Sequence, residues 1–281
     1  MPVRKRKPAN PHFPQLERAL AEVYGWAPNV GLRTALQAVV TEKSRRLLFD
    51  ETTYCRVAAQ SPGELHSIAE EIALGETSFF REPEQFRALW RLVLPGLIEK
   101  RAGVKRLRLW SAGCSTGEEP FSLAMILEDL LGDAPDWRIE ILAVDLRSKA
   151  LLHASQGRYH PLQLRNLDPT LRERFFHGVY APDAPPGELD RRLRRNIRLR
   201  HANLYDPHLW RHLPGPFDVI VCSNVLTHMH HTAIQQTTAR LQQALAPGGY
   251  LLVGSAEVCL VNQPRLRVAP TLPGGFFSRP E

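Results

Sequence analysis

Nowhere in the 281 residues does an apolar run approach the roughly 20 residues that a membrane-spanning helix needs, so membrane insertion is not expected. The basic N-terminus, MPVRKRKPAN, is followed by no apolar stretch of the kind a secretory signal carries. Only four cysteines occur, Cys55, Cys114, Cys222 and Cys259, widely spaced and without a CxxC pair. That spacing argues against a disulfide or zinc framework and predicts reduced thiols in a cytoplasmic protein. The net charge is +7, yet the basic segments have no interleaved aromatics of the kind a single-strand binder uses. No stable nucleic-acid partner is expected from them, and no internal repeat is visible.

What is present suffices for a folded chain. Hydrophobic residues make up 43%, enough for a core. Residues 1–12 read as a flexible basic tail, and residues 13–95 as a helical domain. Leu16, Ala19, Leu20, Val23 and Tyr24 recur on one helix face, as do Ala35, Leu36, Val39, Val40, Leu47 and Leu48. The other side of that second helix carries Arg33, Lys43, Arg45 and Arg46, either a solvated face or one that steers an acidic partner. SPGELHSIAEEIAL opens with a capping box, Ser61 as N-cap and Glu64 at N3.

From about residue 96 to 281 the rhythm changes to strands alternating with helices, which predicts a mostly parallel sheet covered on both faces, an α/β fold. The strands are VKRLRLW, WRIEILAVD, NIRLRHAN, FDVIVCSN and, after the helix stop APGG, YLLVGS. Residues 159–196 are too long for a plain connection and read as an inserted subdomain.

In such a sheet ligands bind beyond the carboxyl ends of the strands. After the first strand comes SAGCSTGEEP, where Gly113 and Gly117 bracket a turn of small residues leading into a helix. Glu118 and Glu119 at that helix start would repel a phosphate, so the ligand there is neutral or cationic. Asp145 ends the next strand, where an acid commonly accepts from ribose hydroxyls or caps the following helix. The combination predicts a nucleoside without phosphates, which S-adenosylmethionine fits. Asn203 and Leu204 would cover the adenine, and CSNVLTH would lie beneath the methionine part. His228, His230 and His231 lack a complementary cysteine or carboxylate set, so no metal is expected. In GETSFFREPEQF, Phe79 and Phe80 either dry the pocket or anchor the core, and Arg81 either orients a carboxylate or pairs with an acid such as Glu118.

GETSFFRE, LWSAGCSTGEEPFSLAM, AVDLRSKALLHASQGRY, ANLYD, FDVIVCSNVLTHM and LAPGGYLLVGSAE occur in the order seen in the CheR family, which the chain resembles from about residue 13 to 280. These methyltransferases use S-adenosylmethionine, releasing S-adenosylhomocysteine, to methylate glutamates of chemotaxis receptors. The resemblance implies a Rossmann-like domain, a helical N-terminal domain and, for the insert, a small β subdomain. It implies cofactor contacts at Thr77, Arg81, Gly113, Glu118, Asp145, Asn203, Leu204, Ser223 and Asn224, and catalytic roles for Arg81 and His228. The implied partner is the cytoplasmic signalling domain of a methyl-accepting chemoreceptor. Gly75 stands where the family often has Asn, Ser223 where it has Arg, DLR where it has Asp-Ile-Asp, and His228 where it has a tyrosine near the acceptor. A module that binds S-adenosylmethionine without transferring methyl, and a methyltransferase for another protein or RNA, are the alternatives.

Overall fold

The computed structural model describes residues 13–73, 75, 77–132, 134–178 and 185–281, so the proposed basic tail at 1–12 lies outside them. The chain divides into two compact units, Met1–Leu74 with His228–Ala233, and Gly75–Thr227 with Ile234–Glu281.

In the first unit α1 is Pro14–Tyr24, α2 Val30–Leu47, α3 Glu51–Gln60 and α4 Pro62–Ile72. Side chains cap the last three: Asn29 accepts from Leu32 N at 2.9 Å, Asp50 from Thr53 N at 2.9 Å and Ser61 from Glu64 N at 3.4 Å. Only the forward half of the expected capping box appears, because Glu64 is drawn elsewhere. Its carboxylate accepts from Tyr54 Oη at 2.6 Å and Lys43 Nζ at 3.1 Å.

That contact also corrects part of the reading of α2 as a basic face. Lys43 is buried, bonding Ser67 Oγ at 2.7 Å and pairing with Glu71 at 3.0 Å. Arg33 grips both oxygens of buried Glu17, and Arg45 pairs with Glu42 on its own helix. Lys43 and Arg33 thus tie α2 to its neighbours, since a buried ammonium must be paired, while Arg45 and Arg46 stay exposed. Leu47 and Leu48, expected inward, are exposed, because α2 stops there with Leu48 left-handed (φ 58°).

The second unit opens with α5, Pro83–Ala88, a wide π turn at Leu89–Val93, and α6, Leu94–Arg101. Pro95, which lacks an N–H, lies two residues past the end of the π turn. The sequence reading closes the helical domain at residue 95, whereas the compact unit closes at 74. The reason is packing: Phe86, Leu89, Val93, Leu94 and Leu97 share one core with Leu107, Leu109, Val219 and Val221 of the sheet.

Next come β1 (Arg106–Ala112), α7 (Glu118–Leu131), β2 (Arg138–Asp145) and α8 (Ser148–Gln156). The insert holds β3 (Arg158–Tyr159), α9 (Pro169–Phe175), β4 (Phe176–His177), β5 (Gly187–Leu189) and α10 (Arg191–Arg194). Its strands form a small antiparallel sheet of order β3-β5-β4. The main chain continues with β6 (Ile197–His201), α11 (Pro207–Arg211), β7 (Phe217–Cys222), α12 (His231–Ala244), β8 (Leu245–Val253), β9 (Arg267–Val268) and β10 (Phe276–Ser278). The main sheet has seven strands in the order β6-β2-β1-β7-β8-β10-β9, parallel from β6 to β8 and antiparallel at β10 and β9. It is the expected Rossmann-like α/β sheet with an inserted β subdomain. Strand order reverses between β1 and β7, so the loops after those strands diverge and leave a crevice.

APGG follows the end of α12 at Ala244 and turns through a left-handed Gly248 (φ 70°), as the sequence suggests. These residues lie within β8, which begins at Leu245 directly after α12. The extra length is taken up by a register shift against β7 between Phe217 and Val219.

Candidate functional site

The loops at the carboxyl ends of β1, β2 and β6 are stitched together by backbone. Gly113 N and Cys114 N both donate to Val144 O, at 2.8 and 2.9 Å, and Ala202 N donates to Asp145 O at 3.0 Å. Gly113 is left-handed (φ 93°), and a Cβ there would come within 2.4 Å of Val225 Cγ2. A tight turn and close packing therefore account for this glycine, whatever approaches from outside. The β7 loop is held by Glu257, which is fully buried and accepts from Asn224 N at 2.7 Å, Gly254 N at 3.1 Å and Thr227 N at 3.1 Å. Asn224 itself is left-handed (φ 60°). Nothing in the local sequence around Asn224 announces Glu257, which comes from a later turn.

Asp145 is pinned by two backbone donors, Ser115 N to Oδ2 at 2.7 Å and Arg147 N to Oδ1 at 2.8 Å. A carboxylate oxygen accepts two hydrogen bonds, so each oxygen keeps one acceptor site for a diol. Asn203 Oδ1 accepts from Tyr205 N at 2.9 Å, and Leu204 is buried with its carbonyl bonded to Trp210 Nε1 at 3.0 Å. Ser223 is half-buried between Cys222 and Asn224.

The segment before α5 presents Arg81 between two anchors. Phe79 is fully buried, edge-on to Tyr159 at 4.9 Å and to Phe176 at 5.4 Å. Phe80 is buried against Phe86, and its N–H donates to Ser122 Oγ at 3.0 Å. Both phenylalanines are thus core anchors. Glu82 accepts from Ser255 N at 3.1 Å. Phe80 and Glu82 are both left-handed, at φ 50° and 58°. Non-glycine residues in that region cost on the order of 1–3 kcal/mol each and persist where the surroundings enforce them. The exposed side chain between them, Arg81, donates from Nη2 to Asn224 Oδ1 at 3.3 Å. Thr77 is half-buried in the same segment.

The two glutamates that begin α7 diverge. Glu118 is fully buried, accepting from Thr116 Oγ1 at 2.6 Å and from Gln163 Nε2 of the insert at 2.8 Å. Glu119, which sequence reasoning left in the background, accepts from Ser111 Oγ at 2.6 Å and keeps some exposed surface. Burial pushes its carboxyl up to about 7; the Ser111 bond pulls down, Glu257 pushes up and Arg81 pulls down. Folded Glu119 therefore holds its proton where an unfolded glutamate, near ~4.3, has lost it. This contribution to stability is present at low pH and is lost as pH rises through that window to about 7. Glu119→Gln is expected to flatten the fall of melting temperature across this window. An unchanged slope in thermal melts would locate the titration elsewhere.

His228 is not part of this unit. It groups with the first one, where its carbonyl accepts from Ala27 N at 2.8 Å.

A switch-point crevice with a strand-end acid, a turn of small residues and glutamates at the following helix is the arrangement expected in a Rossmann-like domain that takes a nucleoside without phosphates. Residues 75–271 match the family description "CheR methyltransferase, SAM binding domain", and the chain belongs to the CheR family. It is 34% identical over 255 residues to a probable biofilm formation methyltransferase, WspC, of Pseudomonas aeruginosa, covering 89% of this chain and 57% of that protein. The chain thus spans little more than half that relative's length. It is 33% identical over 210 residues to chemotaxis protein methyltransferase 1 of the same organism, covering 72% of this chain and 73% of that one. Among solved structures, the N-methyltransferase NodS from Bradyrhizobium japonicum in complex with S-adenosyl-L-homocysteine has a TM-score of 0.40 and 16% identity over 71% of this chain and 88% of that one. No helix among the described residues is long and apolar enough to cross a membrane.

Proposed function

We propose that this protein is a cytoplasmic S-adenosylmethionine-dependent O-methyltransferase that forms glutamate methyl esters on the signalling domain of a chemotaxis-type receptor. The observation that carries the reading is Asp145, held by two backbone donors with an acceptor site left on each oxygen, beside the turn that follows β1. Those residues fit the adenosyl group, with Asp145 taking the ribose hydroxyls and Asn203 and Leu204 the adenine. Glu118, at the start of α7, would lie on the cofactor side through its negative charge. Thr77, Arg81, Gly113, Ser223 and Asn224 would surround the methionine portion.

Bound S-adenosylmethionine supplies a methyl group activated on a cationic sulfur. The acceptor glutamate is ionised at neutral pH, with a reference pKa near ~4.3, so the protein need supply no general base. What remains is alignment and exclusion of water. Arg81 would orient a carboxylate, because its planar fork pairs with two oxygens.

The test is transfer of labelled methyl from S-adenosylmethionine to a purified receptor signalling domain. The label is expected on glutamate and released as methanol by mild base. A base-stable label would mean a nitrogen or other acceptor, and binding without transfer would mean a regulatory module.

A further inference from the structure

Arg147, two residues past Asp145, lies across the start of the 75–81 segment. Its Nη2 donates to Ser115 Oγ at 2.7 Å, and its Nε stands 3.7 Å from Asp145 Oδ1. Ser115 Oγ in turn donates to Gly75 O at 3.0 Å, while Ser115 N donates to Asp145 Oδ2 at 2.7 Å. Ser115 is buried and left-handed (φ 50°), a conformation that such a set of bonds must hold in place. The guanidinium also occupies the space a side chain at residue 75 would need. A Cβ on Gly75 would lie 1.7 Å from Nη2, 2.1 Å from Cζ and 2.3 Å from Nη1 of Arg147. The Gly75 backbone is not left-handed, so the guanidinium alone, and not strain, excludes a methyl group there.

We propose that Arg147 and Gly75 form one clasp that positions the ribose-side acid: the guanidinium, which fits only while residue 75 is glycine, holds the Ser115 hydroxyl that ties Gly75 to the turn after β1. The proposal rests on the cofactor site described above and assigns Arg147 as a positioning residue. By holding the Ser115 hydroxyl, Arg147 would fix the left-handed turn whose backbone N–H keeps Asp145 aimed.

The experiment is a double-mutant cycle read by calorimetric titration with S-adenosylhomocysteine. Arg147→Ala is expected to weaken binding about tenfold, the scale of one hydrogen bond from a charged group. Gly75→Ala should weaken it to a similar degree, because its methyl displaces the guanidinium, a flexible side-chain end that can swing away without disturbing the fold. The double variant should bind no worse than the weaker single one. Arg147→Lys, which keeps the charge and stem but not the fork, should fall between wild type and Arg147→Ala. In turnover, KM for S-adenosylmethionine should rise with kcat retained. Losses that multiply to about a hundredfold, or a Gly75→Ala that binds as wild type does, would overturn the clasp while leaving the cofactor site standing. A wild type that binds neither S-adenosylmethionine nor S-adenosylhomocysteine would overturn the site itself, and the clasp with it.

Discussion

Replacing Asp145 with alanine is expected to lower affinity for S-adenosylhomocysteine by roughly a hundredfold or more while the fold survives. Two ribose hydroxyls donating to one carboxylate are each worth about 1.5–3 kcal/mol, and every ~1.4 kcal/mol is a factor of ten. The protein's own donors to Asp145, Ser115 N and Arg147 N, lie in a part-buried loop and not in the sheet ladder, so their loss should loosen the loop without opening the core. Asp145→Asn should behave much like alanine. Both carboxylate oxygens face N–H donors, and an amide must turn its own N–H₂ toward one of them. Calorimetry paired with a thermal melt reads binding and folding separately. Wild-type affinity in Asp145→Ala would reduce the residue to an anchor for the loop before α8.

Arg81→Ala is expected to lower kcat/KM for methyl transfer by about a hundredfold with an unchanged melting temperature. Its side chain is exposed, and its bond to Asn224 Oδ1 is long at 3.3 Å, so little stability depends on it. Its location does depend on structure: Phe80 buried on one side, Glu82 bonded to Ser255 on the other, both left-handed. A chain that spends this much backbone strain on presenting one side chain points to a use for it, and orientation losses of this size are ordinary for a misplaced substrate. Arg81→Lys should recover little, because a single ammonium cannot match two carboxylate oxygens at once. Unchanged turnover in Arg81→Ala would leave the guanidinium a structural role alone.

The sheet was legible because alternation and run length are local properties of a strand. WRIEILAVD contains β2, and FDVIVCSN contains β7, within two residues at each end. The proposed site was gathered on a related ground: in a parallel sheet the residues just past each strand converge, so order alone groups Gly113, Asp145, Asn203 and Asn224 as candidates. Readings that failed concern charges and ends. Lys43 looks solvated from its neighbours in sequence, because its partners Glu64 and Glu71 come from another helix. The APGG run marks the end of α12, as glycine and proline do locally, but the pairing of Leu245 ahead of it with β7 has no sign in the sequence.

Composition and spacing by themselves determined the α/β class, the order of the strand-end loops and the chemistry of the ligand they suit, since each depends on residues near one another in the chain. Tertiary structure decided which of those residues act through others. Glu257 cradles the β7 loop from beyond β8, Glu118 turns to the insert while Glu119 stays beside Ser111, and Arg147 takes the space left by Gly75. Hydrogen bonds and excluded volume between distant segments have no signature in local pattern, and they become visible only when the chain has brought those segments within a few ångströms.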